Sequence, residues 1–318
     1  MEHFIPPARV DEQVELLASQ GLELDRDFAT QCLQTVSFYR LSHYFNPAQI
    51  PDNGDTSARR FRADINFHDI IDLYESDRRL RTIIYDGLER IEIALRAVVV
   101  NILSTKGEFG HEDPRFFRTE DFCHQWNARA DERIERAMRS DHILEESLAE
   151  YDSGYPISVI SEALDFGDIS RLVAWMRAEY QEAVSKALGL HIDARRLTGA
   201  EKEALRSGVY LRSWIHQLSM VRNIVAHHGR LWNRNLKPAS TTLLRKNPRF
   251  GALPPEQSQK LYGMLLMTSH MLGHISPGTT WPERVAQLLK VEFLLNPVVH
   301  SAAMGLPRDW DGSLRLGA

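Results

Sequence analysis

The longest regular hydrophobic pattern of the chain falls between Phe67 and Leu103. Acids placed four positions before bases, as at Glu92 and Arg96, predict a charged face that is largely self-paired. The pattern therefore predicts one helix of unusual length with a continuous buried stripe. The stripe residues alternate three and four positions apart, the spacing of one helix face; they are Ile84, Leu88, Ile91, Leu95, Val98 and Ile102.

Shorter helical patterns precede this segment. Two helices are predicted between Ala8 and Tyr44, the first of them ended by Gly21. Asp25 or Asp27 is expected to cap the second, which the pattern extends as far as Tyr39. Two helices thus account for the opening of the chain.

Turn-rich segments divide the rest of the chain. Residues 47–59 are predicted to be a linker loop, residues 127–151 an acidic helical run, and residues 238–255 an irregular basic segment. No alternating run of β-branched residues is long enough for a sheet. We therefore expect an all-α fold whose three parts are an N-terminal helical segment at 1–50, a helical core at 60–292 and a tail at 293–318.

A second distinctive helix is predicted in the stretch Leu211–Asn235, with Gly229 as its stop. At about 100° per residue, its apolar residues share one arc, and a polar arc beside it holds Arg212, His216, Ser219, Asn223 and His227. Arg222 falls inside the apolar arc, where a permanently charged guanidinium must be paired or must face a solvated or ligand-filled crevice. Glu89 and Glu92 of the long helix are candidate partners.

The charge distribution singles out the same region. Between Glu203 and Glu256 there is no acid, whereas the rest of the chain carries 29 Lys and Arg against 43 Asp and Glu. Such polarity favours a local site for a polyanion; the alternative is that these bases pair with acids elsewhere. The interval holds nine bases: Arg206, Arg212, Arg222, Arg230, Arg234, Lys237, Arg245, Lys246 and Arg249.

The composition and the short motifs limit the cellular location and the types of reaction that are expected. Two cysteines in no spaced pair disfavour a disulfide framework or a zinc site, and no apolar run approaches the ~20 residues of a membrane span. The N-terminus lacks the pattern of a secretion signal, so a cytoplasmic protein is expected. No nucleophile-elbow, phosphate-loop, dinucleotide or metalloprotease motif occurs, so neither a cofactor nor a metal is expected. Acid–base chemistry with an anion-stabilising arginine remains.

The string RNIVAHHGRLWNR, from Arg222 to Arg234, resembles the R-x4-6-H signature of the HEPN superfamily in the form typical of the Abi family of bacterial abortive-infection proteins. Three further stretches are similar to Abi-family blocks in the same order: SFYRLSHYFNP from Ser37, LYESDRRLRTIIYDGLERIEIALR from Leu73, and PISVISEALDFGDISRL from Pro156. For Tyr39, Arg40 and Tyr44, aromatic packing with one anchoring arginine is the favoured interpretation.

The resemblance implies a HEPN-type helical bundle with additional N-terminal and C-terminal helices. It also implies a homodimeric, metal-independent endoribonuclease of phage defence, a toxin that an RNA or protein partner could restrain. The matched Arg222 and His227 would catalyse, assisted by Asn223. The alternatives are a non-catalytic RNA-binding module and a structural dimerisation scaffold. Candidate RNA-binding residues are His228, Arg230, Trp232, Arg234 and Lys237, although Trp232 equally suits a core position.

Geometry leaves three questions open. Arg222 and His227 are five positions apart, so an ideal helix points them about 140° from each other. Either the helix breaks near Ala226, or a second protomer brings its own motif alongside. The Asn223 amide could bond the imidazole of His227 and fix its tautomer. Finally, Arg222 could be a structural ion-pair member and His227 a helix cap, with no catalytic role.

Overall fold

A computed structural model of the chain describes residues 9–52, 55–139, 151 and 154–316. Helices dominate these residues, which confirms the expected all-α class. Within the described ranges, β structure is limited to two antiparallel two-stranded sheets and a few isolated bridges. Part of the predicted acidic run, residues 140–150, lies outside the described ranges.

The elements of the first half follow one another along the chain as α1 Val10–Ser19, α2 Arg26–Thr35, α3 Phe38–Ala48, β1 Gln49–Asp52, β2 Asp55–Phe61, α4 Phe67–Leu103 and α5 Glu120–Met138. The second half contains α6 Ile157–Ala163, α7 Phe166–Trp175, α8 Ala178–Ala187, α9 Gly199–Ser207, α10 Val209–Ala226, β3 Ala239–Ser240, β4 Gln257–Ser258, α11 Leu261–Ile275, α12 Trp281–Leu288 and α13 Ser301–Met304. A π-helical turn, Leu289–Phe293, follows α12.

The long helix and the first two caps agree with the sequence. Helix α4 has the predicted bounds, α1 is followed by Gly21 at φ +82°, and the Asp25 side chain accepts from the backbone N–H of Phe28 at the start of α2. The second predicted helix is two helices, because Ser37 caps a new one by accepting from the N–H of Arg40. Tyr39 therefore belongs to α3.

The predicted linker at residues 47–59 is wrong. Pro47 lies in the last turn of α3, and the following residues form a hairpin in which Gln49 pairs with Phe61. The N–H of Phe61 also donates to the carbonyl of Gln20 at 2.9 Å. Tertiary hydrogen bonds of this kind give a strand to a short segment with no strand-like alternation.

One compact unit comprises Met1–Ile83, His228–Arg234 and Glu283–Ser313. In this unit the C-terminal segment is docked onto the first half of α4. Asn296 donates to the carbonyl of Asp69 at 2.7 Å, and the buried Val298 and Met304 contribute to the core.

The other compact unit comprises Ile84–His227, Asn235–Pro282 and Leu314–Ala318. Helix α10 crosses its core against α7 and the β3–β4 ribbon. Gln217 of α10 donates to the carbonyl of Ser258 at 2.9 Å, and the indole N–H of Trp214 donates to the carbonyl of Ser240 at 2.9 Å. These two bonds tie buried side chains of α10 to the ribbon, so the helix is held in one orientation.

The start of α10 depends on one glycine. Gly208 has φ +67° between α9 and α10, a conformation that favours glycine. A Cβ at this position would lie 1.8 Å from Oε1 of the buried Gln181. Gly208 therefore permits the sharp turn between the end of α9 and the start of α10.

The three-part division of the chain at residues 50, 60 and 292 stays a prediction. Among the helices of the described residues, none is both long and apolar enough to cross a membrane.

Candidate functional site

Helix α10 ends in the middle of the predicted motif. Ala226 is its last residue, and His227 is the C-cap with φ −94° and ψ 18°. His228 then adopts the left-handed conformation with φ +57°. The helix thus ends three residues before Gly229, the predicted stop, and a histidine occupies the left-handed position that usually selects glycine. Such a residue carries about 1–2 kcal/mol of local strain, and strain of this kind concentrates at functional sites.

Arg222 is paired, as its place in the apolar arc requires. Its Nε donates to Oε2 of Glu92 at 3.1 Å, and its Nη2 to Oε1 at 3.5 Å. Arg96 contacts the same carboxylate at 3.3 Å. Of the two acids considered from the sequence, Glu92 is the partner, while Glu89 is exposed.

The pair is unequal in burial. Glu92 is 6% exposed, whereas 26% of the Arg222 side chain is accessible. Burial raises the pKa of Glu92, and the charges of Arg222 and Arg96 oppose that shift. One edge of the Arg222 guanidinium is therefore anchored in the protein while the group keeps access to solvent.

Asn223 and His227 are exposed on the last turn and the cap of α10. Asn223 Oδ1 accepts from Nη1 of Arg222 at 3.4 Å. The contact between Asn223 and His227 is a backbone bond of 3.0 Å, so the predicted bond from amide to imidazole is not the one observed. Within the described ranges, the imidazole of His227 has no hydrogen-bond or ionic partner and is available to a ligand.

A groove of about 630 Å³ runs beside the polar face of α10. Four of the five residues predicted for that face line it: Arg212, His216, Ser219 and Asn223. Arg171 of α7 lines the opposite side. Partial burial, with Lys237 and Arg171 nearby, lowers the pKa of His216 and keeps the imidazole neutral near neutral pH.

The second half of the motif string, which follows α10, is fixed to a buried carboxylate. Asp77, which is 0% exposed, accepts from the N–H of Leu231 at 3.3 Å and from that of Trp232 at 2.8 Å. It also accepts from the Tyr44 hydroxyl at 2.7 Å and the Arg81 guanidinium at 2.5 Å. Burial and the Asp77 carboxylate raise the pKa of Tyr44, so the phenol stays a neutral donor. Three stretches far apart in sequence meet at this carboxylate.

Of the two interpretations of Trp232, RNA binding and a core position, the structure favours the core position. Its side chain is 1% exposed and lies against Tyr44, with ring centroids 6.5 Å apart and nearly parallel planes. The Arg230 guanidinium carbon lies 5.8 Å from the Trp232 ring centroid. A buried indole has no free face for a nucleobase, so Trp232 is a core residue.

The remaining RNA-binding candidates differ in exposure. His228, Arg234 and Lys237 are exposed. Arg230 is partly buried and donates to the carbonyl of His43. Burial, followed by the charge of Arg234, lowers the pKa of Arg230.

The basic interval is largely free of acids in the fold as well as in the sequence. Of its nine bases, Arg206, Arg222 and Lys246 form ion pairs, with Glu203, Glu92 and Glu201 respectively. For the other six, no ion pair is found in the part of the chain that the structure describes. The alternative that these bases pair with acids elsewhere therefore holds for a minority.

Sequence reasoning missed two exposed residues of α3. Tyr39 is 72% exposed, although it was assigned to aromatic packing, and His43 is exposed beside it, with ring centroids 5.5 Å apart. The signal was present, because Tyr39 and His43 are four positions apart on a helix whose other face carries Leu41 and Phe45.

Fold and site together define a largely helical protein with an anchored arginine and an exposed histidine at the end of one core helix. A family model described as "Abi-like protein" matches residues 31–233, more than half of the chain and the whole stretch from α3 through α10. The chain belongs to this family, and the family points to abortive infection, a defence against phage. No curated protein and no solved structure matches the chain.

Proposed function

We propose that this Abi-like protein is a metal-independent endoribonuclease of the HEPN type that acts in abortive infection. Arg222, assisted by Asn223, and His227 are the proposed catalytic residues. The observation that carries the proposal is a guanidinium that Glu92 anchors and that is one quarter exposed, followed five positions later by an exposed imidazole at the end of a helix without acids. The R-x4-H string within the family match supports it.

The chemistry needs little beyond these groups. A base removes the proton of an RNA 2′-hydroxyl, and the oxygen attacks the adjacent phosphorus to form a 2′,3′-cyclic phosphate. The 5′-oxygen leaves and takes a proton from an acid. Histidine serves either proton role near neutral pH. A planar guanidinium stabilises the charge that develops on the phosphoryl oxygens.

Glu92 has a positioning role in this proposal. The carboxylate contacts Arg222 through Nε and Nη2, which leaves Nη1 on the side of the exposed Asn223. A guanidinium held along one edge loses less freedom when its other edge binds phosphate. The ion pair anticipated as a purely structural feature therefore also suits catalysis.

We further propose that two protomers share one active site. Cleavage uses a base and an acid, and each chain contributes one His227. The break after Ala226 releases the cap residue from the straight helix, and a second copy of the motif would supply the other imidazole. A homodimer with twofold symmetry brings identical residues together at its axis.

The second candidate is a non-catalytic RNA-binding module. This candidate is favoured because both proposed catalytic residues also have a structural role: Arg222 pairs with Glu92, and His227 caps α10. The acid-free interval would then bind RNA without cutting it.

The deciding experiment incubates the purified protein with total RNA in EDTA. We expect fragments that end in 2′,3′-cyclic phosphate, and we expect Arg222→Ala or His227→Ala to reduce cleavage by roughly 10²- to 10⁴-fold. Melting temperatures should change little, because His227 is exposed and because Arg96 still pairs with Glu92 when Arg222 is removed.

Matched controls are Arg195→Ala and His124→Ala, which remove an exposed arginine and an exposed histidine from outside the acid-free interval. Both should cleave like the wild type. Absence of fragments from the wild type, with RNA still bound, would favour the second candidate; fragments that persist in His227→Ala would refute the proposed catalytic residues.

A further inference from the structure

Helix α3 and the segment after α10 together present a basic and aromatic surface that is exposed at Tyr39, His43 and Arg234 and partly buried at Arg40 and Arg230. We define the α3 platform as Tyr39, Arg40, His43, Arg230 and Arg234, all within one compact unit. We propose that this platform binds single-stranded RNA, with a nucleobase stacked on Tyr39 and adjacent phosphates held by the arginines.

The exposure of Tyr39 is the first argument. At 72%, Tyr39 is the most exposed phenylalanine, tyrosine or tryptophan among the described residues. Its ring meets that of His43 edge to face, at 70° and 5.5 Å between centroids. The contact with His43 orients the ring while leaving it largely accessible. Aromatic rings held in this way stack on unpaired bases with little regard to sequence.

The surrounding charge is the second argument. Arg40 donates to the carbonyl of His228 at 2.8 Å, Arg230 donates to that of His43, and Arg234 approaches that of Arg230 at 3.4 Å. Carbonyl oxygens orient these guanidiniums without neutralising them. In the described ranges, none of the three forms an ion pair with a carboxylate. The platform thus keeps three positive charges that phosphates can neutralise.

The pKa of His43 reflects the positive charge of the neighbouring arginines. Partial burial, together with Arg230, Arg234 and Arg40, lowers the pKa of His43. Neither α3 nor the segment His228–Arg234 contains an acid. The acid that the platform segments contact, Asp77, is buried and already accepts from Leu231 and Trp232. The surface therefore suits a polyanion with flat apolar groups, which describes single-stranded RNA better than an acidic protein.

This inference rests on the proposed function only in taking RNA as the ligand, and it needs no cleavage. Binding is therefore measured with a 2′-O-methyl oligouridine of about ten nucleotides, which lacks the attacking hydroxyl. A second probe has the same backbone without bases. Fluorescence anisotropy gives Kd for each probe and each variant.

We expect Tyr39→Ala to raise Kd for the oligouridine roughly 5- to 150-fold, the range of one base–aromatic stack. Tyr39→Phe should bind like the wild type, as should Tyr85→Ala, which removes another exposed tyrosine. The base-free probe should bind equally to Tyr39→Ala and to the wild type. Arg234→Gln should flatten the slope of log K against log salt by about 0.7 for either probe.

An equal effect of Tyr39→Ala on both probes, or no effect on either, would overturn the stacking proposal. So would a wild type that binds neither probe and instead uses Tyr39 to bind an acidic polypeptide such as polyglutamate. Cleavage of total RNA by the wild type, assayed separately, judges the proposed nuclease activity independently of these outcomes.

Discussion

The two halves of the string from Arg222 to Arg234 have opposite physical characters. In the first half, Asn223 and His227 are exposed and Arg222 is partly exposed, next to one buried acid. In the second half, the backbone of Leu231 and Trp232 is fixed to the buried Asp77. One continuous family motif thus combines residues suited to chemistry with residues that hold the chain in place.

The difference shows why resemblance alone assigns too many residues to a binding site. The RNA-binding candidates of the sequence are His228, Arg230, Trp232, Arg234 and Lys237. The structure buries Trp232 and partly buries Arg230, whereas Tyr39, from another family block, is exposed. Burial therefore separates residues of one family block that pack in the core from residues that a ligand can reach.

The largest effect that would test this contrast is expected at Asp77. Asp77→Ala removes the acceptor for two backbone N–H groups and leaves Arg81, with 7% of its side chain exposed, as an uncompensated buried charge. Loss of one partner of a buried pair costs about 3–5 kcal/mol. We expect urea denaturation to show a loss of this order.

Asp72→Ala is the matched control, because Asp72 is an exposed acid on the same helix. It should change stability by less than about 0.5 kcal/mol. A folded Asp77→Ala protein of nearly wild-type stability would contradict the structural role assigned to the second half of the motif.

A smaller effect is expected at Glu92, the buried acid that pairs with the partly exposed Arg222. Glu92→Gln keeps the shape but removes the charge that orients Arg222. Misplacement of a catalytic group by about 1 Å can cost 10²-fold, so we expect cleavage to fall roughly 10- to 100-fold. Glu89→Gln, an exposed neighbour, should leave the rate unchanged.

The pH dependence sharpens the same prediction. Burial raises the pKa of Glu92, so this carboxyl binds its proton more tightly in the folded chain than in the unfolded chain. As pH falls from neutrality through that raised pKa, Glu92 therefore adds to the free energy of unfolding while its hold on Arg222 weakens. Mild acid should then reduce cleavage more in the wild type than in Glu92→Gln. Equal pH profiles would mean that Glu92 does not position Arg222.

Sequence patterns predicted what depends on local periodicity. The bounds of α4, the Asp25 cap and the partner set of Arg222 could all be read from residue spacing. The Asp77 site could not, because Tyr44, Asp77 and Leu231 come from segments whose convergence no periodicity encodes. The left-handed conformation of His228 likewise depends on tertiary contacts such as the bond from Arg40 to the His228 carbonyl.

The smallest expected effect concerns the shared active site. It tests whether Arg222 and His227 of one chain are sufficient for cleavage, or whether His227 of a second chain is also needed. If His227 of each chain supplies one of the two proton-transfer groups, a dimer with a single His227→Ala subunit has an acid or a base but not both. Such mixed dimers should be nearly inactive. Wild-type and mutant proteins are therefore mixed at constant total concentration and allowed to exchange subunits.

Under random exchange, activity should fall as the square of the wild-type fraction, so that an equal mixture keeps about one quarter of the activity. Complete sites within single chains would instead give a linear fall and about one half. The difference is about twofold, and native mass spectrometry of the mixture must first show that mixed dimers form. A linear fall with mixed dimers present would exclude the shared site, yet it would leave the roles of Arg222 and His227 within one chain intact.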